Sequence, residues 1–139
     1  MATFNKFQSF AEALAEKTHN LGSDTLKVMM TNSAPSASNT VKADITEISA
    51  GNGYTAGGTA ATISSSTQTS GTYKLVLADV VFTASGGSIG PFRYAVLYND
   101  TASSDELIGW WDYGSSTTIA SSETFTCDFS ATTGVLTLG

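Results

Sequence analysis

Residues 89–113 decide the fold of this chain, and they read IGPFRYAVLYNDTASSDELIGWWDY. In the first half, large side chains that favour strands recur at every second position: Phe92, Tyr94, Val96 and Tyr98. The second half repeats this spacing and places four residues on one side: Leu107, Gly109, Trp111 and Tyr113. Three residues take the opposite side: Ile108, Trp110 and Asp112. Because residues 99–106 between the two runs have turn chemistry, the stretch predicts an antiparallel hairpin.

A hairpin with aromatic side chains on both faces can pack on a core and on a partner at once. We therefore predict contact surfaces on this hairpin, on a helix over 4–21 and on the small-residue loop 33–40. The candidate interface residues are all aromatic: Phe4, Phe7, Phe92, Tyr94, Tyr98, Trp110, Trp111 and Tyr113.

Residues 4–21 carry the helical spacing of the chain, since apolar or small side chains recur there at i, i+3 and i+7. The positions are Phe4, Phe7, Ala11, Leu14, Thr18 and Leu21. Thr3 precedes the run as a candidate N-cap, and Gly22 follows it as a stop signal. The spacing predicts an amphipathic helix that packs on a sheet or on a neighbouring subunit.

The remaining sequence predicts short strands between turns. Residues 80–84 continue the strand 72–79 in this interpretation, and residues 117–120 form a weak strand of their own. The glycine-rich stretch 51–58 indicates tight turns rather than a phosphate cradle, because it lacks the Lys-Ser/Thr ending that a phosphate loop requires. The predicted fold is mainly β, an antiparallel sandwich or barrel of about eight strands, in a single domain over 1–139.

The composition argues against a nucleic-acid partner. Only 13% of the residues are charged while 41% are hydrophobic, so 19 serines and 21 threonines supply much of the polar surface. The net charge is −6, and the five lysines and one arginine are scattered, whereas phosphate binding needs clustered cations. We find no apolar run that could span a membrane and no signal peptide in 1–6, so we expect synthesis in a cytoplasm.

No catalytic motif is visible, and we expect neither an enzyme nor a cofactor. Cys127, the single cysteine, is interpreted as a small buried apolar residue, and His19 gives no signal of pairing with it. Three acids of the 99–106 loop are a weaker candidate calcium site: Asp100, Asp105 and Glu106. A second alternative is a sugar-stacking platform beside Asp112, made of Trp110, Trp111 and Tyr113.

Five stretches of the chain resemble a family of small virion proteins of tailed bacteriophages. They are MATFNKF (1–7), LGSDTLKV (21–28), GNGYTAGG (51–58), GPFRYAVLYND (90–100) and LIGWWDYG (107–114). The resemblance implies no catalytic residues; with size and composition it suggests a decoration or cement protein on the capsid surface. The implied partners are the major capsid protein and copies of the chain itself, with a trimer favoured by closed symmetry. A tail or fibre component and a module that binds host surface glycans remain the alternatives.

Overall fold

The computed structural model describes residues 2–139; Met1, which belongs to the first resembling stretch, lies outside the described residues. The described chain contains ten strands and one short α-helix. Their bounds are β1 (Phe4–Lys6), α1 (Ser9–Ala15), β2 (Leu26–Thr31), β3 (Thr59–Ala61), β4 (Ile63–Thr69), β5 (Thr72–Leu77), β6 (Val80–Thr83), β7 (Ile89–Asn99), β8 (Leu107–Ile119), β9 (Thr124–Cys127) and β10 (Leu136–Leu138). A single 3-10 turn covers Lys42–Asp44.

The strands form a sandwich-like arrangement of antiparallel sheets, and the sheets do not close into a barrel. The five-stranded sheet has the order β1-β8-β7-β2-β3, and it faces a three-stranded sheet, β10-β5-β4, and a two-stranded sheet, β6-β9. Side chains from all three sheets meet in one main core, exemplified by Leu97, Leu75 and Phe82. The prediction of a mainly β, antiparallel sandwich with one N-terminal helix is confirmed.

The predicted hairpin is present as β7 and β8, with one irregularity that changes which side chains share a face. Tyr98 lies opposite Leu107 and Leu97 lies opposite Gly109, so Ile108 is an extra residue in β8. Such a bulge shifts the alternation of side chains by one position. Ile108 therefore belongs to the main core, and Leu107 packs on the outer face of the sheet, which reverses the predicted sides of both residues.

The outer face of the five-stranded sheet carries a second, smaller hydrophobic cluster. Its fully buried members are Phe7, Met29, Val96, Tyr98 and Leu107, with Ile45 and Trp110 packed against them. The segment 33–50 lies over this face and is held by backbone hydrogen bonds from Leu107 to Thr40 and from Ile48 to Met30. The central sheet is thus buried on both faces for most of its length.

The predicted helix over 4–21 is wrong in its bounds. Phe4 belongs to β1, where it pairs with Trp111, and the helix begins only at Ser9 and ends at Ala15. The sheet holds Phe4 because Gly109 leaves room for its ring: a Cβ at Gly109 would lie 2.1 Å from the ring's Cε2. Lys17 then adopts a left-handed φ of 71°, which ends the helical path well before Gly22.

Two further predictions about strands are corrected. Residues 80–83 do not continue β5; they form β6, which pairs with β9 in a separate sheet. The predicted strand at 117–120 is the end of β8, which runs on past Gly114, where φ is 90°. The turn interpretation of residues 51–58 is confirmed, because all four glycines of that stretch have positive φ. Within residues 2–139, no helix has the length and apolar character that crossing a membrane requires.

Candidate functional site

The structure places most of the predicted interface residues inside the protomer. Five of them are buried: Phe7, Phe92, Tyr94, Tyr98 and Trp111. All of these rings except Tyr94 belong to the chain's own two hydrophobic clusters, so a partner cannot reach those four without unfolding part of the sandwich. The remaining three are partly exposed: Phe4, Trp110 and Tyr113. A contact surface on the hairpin therefore has to be built from these three residues and their polar neighbours.

Trp110 and Trp111 lie on opposite faces of the central sheet. Trp111 packs in the main core, with its ring centroid 5.3 Å from that of Phe4 and 5.0 Å from that of Phe129. Trp110 covers the smaller cluster, 4.6 Å from the ring of Phe7. The two indoles lie on opposite sides, as the alternation of the sequence predicted, and the alternative of one sugar-stacking platform made of both is wrong.

Tyr113 is also separated from Trp110, because it turns toward the two-stranded sheet. Its ring meets Phe125 edge-on at 4.9 Å. Burial raises the pKa of the Tyr113 hydroxyl, and the nearby Cys127 thiol adds to that increase. Burial likewise raises the pKa of Cys127 to about 11, so the thiol is protonated at neutral pH. The interpretation of Cys127 as a small buried residue is confirmed.

The polar neighbours of Trp110 form a fixed ion pair on the outer face. Asp112 is two residues along β8, and Arg93 donates two hydrogen bonds to its carboxylate, at 2.8 and 3.0 Å. These bonds, with one from the backbone of Gly114, lower the pKa of Asp112. The guanidinium also lies over the ring of Tyr94, at 5.3 Å from its centroid. This geometry keeps the pair charged and oriented while both side chains remain 38% exposed.

We call the set Asn5, Arg93, Trp110 and Asp112 the Trp110 surface, and the buried ring of Tyr94 lies beneath Arg93. Asn5 belongs to it because β1 places this residue opposite Trp110 on the neighbouring strand. The surface offers one aromatic ring supported from beneath and one oriented ion pair beside it. These groups suit recognition, since Trp, Tyr and Arg are the residues that protein interfaces enrich.

The acids proposed for calcium do not converge. Asp100 forms an ion pair with Lys27, at 3.2 Å, and Glu106 accepts a hydrogen bond from the backbone of Ser104. In the part of the chain that the structure describes, no three histidine, cysteine, aspartate or glutamate side chains lie close enough to hold one ion.

Sequence reasoning missed a buried polar network that fixes the cover of the outer face. Tyr54 donates a hydrogen bond to Glu47 at 2.7 Å and accepts one from the backbone N–H of Met30 at 3.0 Å. Glu47 also accepts a bond from the backbone of Gly57. The one signal in the sequence is an isolated tyrosine in a glycine-rich turn, which gives no indication of its partners.

None of the family models, curated proteins or solved structures compared with this chain matches it.

Proposed function

We propose that this chain is a non-enzymatic structural protein of a tailed-bacteriophage virion that decorates the capsid and stabilises its shell. The observation that carries the proposal is the Trp110 surface, an aromatic anchor beside an oriented ion pair on a rigid sheet. The sequence resemblance to small phage virion proteins supplies the biological context. The partners in this proposal are the major capsid protein and further copies of the chain, with a trimer as the simplest closed assembly.

The composition of the chain supports a protein whose surface packs against other protein. Charged residues make up 13% of the chain and hydroxyl side chains are abundant, so little electrostatic repulsion opposes close packing of copies on a shell. The side chain of Trp110 can become fully buried against a partner without a change of conformation, because Phe7 already supports its ring. A preorganised anchor of this kind reduces the entropy cost of binding.

The test is the position and copy number of the chain in purified virions, by cryo-electron microscopy and quantitative gel electrophoresis. Many copies over the shell are expected, and shells lacking the protein should break at lower temperature. Trp110→Ala is expected to reduce occupancy at least about tenfold, the loss typical of a hot-spot residue. Val81→Ala is the matched control, because Val81 is a 50% exposed apolar residue on a different sheet. Location at the tail would refute decoration and favour a tail or fibre component.

A glycan-binding module is the second candidate, favoured by one observation. The Trp110 ring lies beside Arg93 and Asp112, an aromatic face flanked by hydrogen-bonding side chains. Host surface polysaccharide would then bind saturably to the isolated protein, and Asp112→Asn would weaken binding as Trp110→Ala does. Absence of saturable binding to host polysaccharide in a calorimetric titration would exclude this candidate.

A further inference from the structure

His19, the single histidine of the chain, is buried in the turn that follows α1. Only 5% of the residue is exposed, and its ring lies 5.4 Å from that of Phe10. The Nδ1 atom of His19 is 3.0 Å from the side-chain nitrogen of Asn99, at the end of β7. The Nε2 atom is buried and has no hydrogen-bond partner in the described chain. A buried nitrogen without a partner is rare enough to require an explanation.

The orientation of Asn99 is fixed by four hydrogen bonds, and it determines the protonation of His19. The Oδ1 atom accepts bonds from the backbone of Thr101 and Ala102, at 3.0 and 3.2 Å. The Nδ2 atom therefore carries both donors; one goes to Asp24, at 2.7 Å, and the other to His19. Because Nδ1 of His19 must accept, its proton resides on Nε2.

We propose that His19 is a pH-operated latch, whose ring is bonded to Asn99 at the end of β7 while it is neutral and leaves that position when it is protonated. A second proton on the ring would have to sit on Nδ1, where it would face the N–H of Asn99 across 3.0 Å. Rotation of the Asn99 side-chain amide cannot relieve this contact between two N–H groups, because it would break the bonds of Asn99 to Thr101, Ala102 and Asp24. Protonation therefore breaks the bond between His19 and Asn99, while the bond between Asn99 and Asp24 is kept.

The burial of the ring and the charged groups around it determine how the stability of the folded chain changes with pH. Burial lowers the pKa of His19, and the nearby carboxylates of Glu106 and Asp24 oppose this effect without cancelling it. Lys17 lines the same cleft as His19. The unfolded chain then binds a proton more readily than the folded chain below about pH 6.5. The stability contributed by neutral His19 is complete above that pH and decreases as the pH falls.

The fold leaves room for the released ring. A cleft of about 470 Å³ borders His19 between the turn and the three-stranded sheet, with Leu21, Ser66 and Tyr73 in its wall. A protonated imidazole that swings into this cleft reaches solvent and leaves Phe10 behind in the core. Opening the latch therefore exposes the turn around His19 while the sandwich persists. This inference does not depend on the proposed function.

The test follows the single histidine by NMR as the pH is lowered from about 7.5 to about 5, the range in which histidines titrate. We expect the Nε2–H tautomer at neutral pH and a titration midpoint below the ordinary value. The backbone amides of Ser23 and Asp24, which bond to the carbonyl of Asn20 next to His19, should lose protection from hydrogen exchange at least about tenfold as His19 titrates, after correction for intrinsic rates. An Nδ1–H tautomer, a midpoint at or above the ordinary value, or unchanged protection would overturn the proposal.

His19→Asn is the matched variant, because the asparagine Oδ1 lies near the position of Nδ1 and accepts the same bond but does not titrate. Exchange protection of Ser23 and Asp24 in this variant should be independent of pH to within about twofold. A pH response as large as that of the natural chain would assign the effect to other groups and overturn the proposal. If the variant does not fold, the titration of the natural chain decides alone.

Discussion

Replacing Trp111 with alanine is expected to destabilise the protein far more than replacing Trp110, although the two residues are adjacent in the chain. Trp111 is 5% exposed and its ring lies among core side chains, so its removal leaves a large cavity in the main core. Truncations of this kind cost about 3–5 kcal/mol. Trp110 packs on Phe7 from the solvent side, so its removal leaves a groove that water fills. We expect a loss of about 2 kcal/mol or less there, from the ring pair and the area it covers.

The measurement is urea unfolding followed by far-ultraviolet circular dichroism, because that signal does not depend on the tryptophans that are changed. The dependence of the unfolding free energy on urea should be the same for all variants, so that midpoints can be compared. Acrylamide quenching gives an independent control: Trp111→Phe leaves the accessible indole, and Trp110→Phe leaves the protected one. Equal losses of stability, or a larger loss for Trp110, would refute the assignment of Trp111 to the main core and of Trp110 to the outer face.

Three further outcomes follow from the structure. Gly109→Ala should lower the free energy of unfolding in urea by about 1–3 kcal/mol, because the new methyl group collides with the ring of Phe4. Gly22→Ala is the control, because its methyl group makes only ordinary contacts and the stability should hardly change. Tyr54→Phe should cost about 1–3 kcal/mol, since it leaves the buried backbone N–H of Met30 without its acceptor and removes one hydrogen bond to Glu47, and a neutral result would contradict the network. The thiol of Cys127 should react with a disulfide reagent at about pH 8 only as fast as the protein unfolds; rapid labelling of the folded protein would show that the residue is accessible.

The alternation of residues 92–113 was sufficient to predict the hairpin, because a period of two in aromatic and branched side chains has few other structural solutions. It was not sufficient to predict the faces. One unpaired residue at Ile108 exchanges the sides of Leu107 and Ile108, and the shift in register between Phe92 and Tyr94 places Phe92 in the main core. A bulge is set by the partner strand, and a single sequence read along one strand contains no record of it.

The helix prediction failed for a related reason. Phe4 and Phe7 continue the helical spacing, but each is held by the central sheet, Phe4 over Gly109 and Phe7 in the cluster of the outer face. Helical propensity contributes tenths of a kcal/mol per residue, while burying one such ring contributes about 1.5–3 kcal/mol. Tertiary contacts therefore decide the conformation of these residues. The same contacts make Gly109 important, which the sequence showed only as a glycine within a strand pattern.

Antiparallel sheets usually pack one face on the core and expose the other, but here the outer face also carries a buried cluster. The chain's own segment 33–50 and Phe7 cover most of that face. Trp110 and the ion pair of Arg93 with Asp112 are not fully covered and remain partly exposed. A partner seated on the Trp110 surface would continue a hydrophobic layer that the chain has begun. It would bury the indole against a ring that is already fixed, and it would meet charges that are already oriented. This continuity argues for the Trp110 surface as the contact region, and not for the five predicted interface rings that are buried.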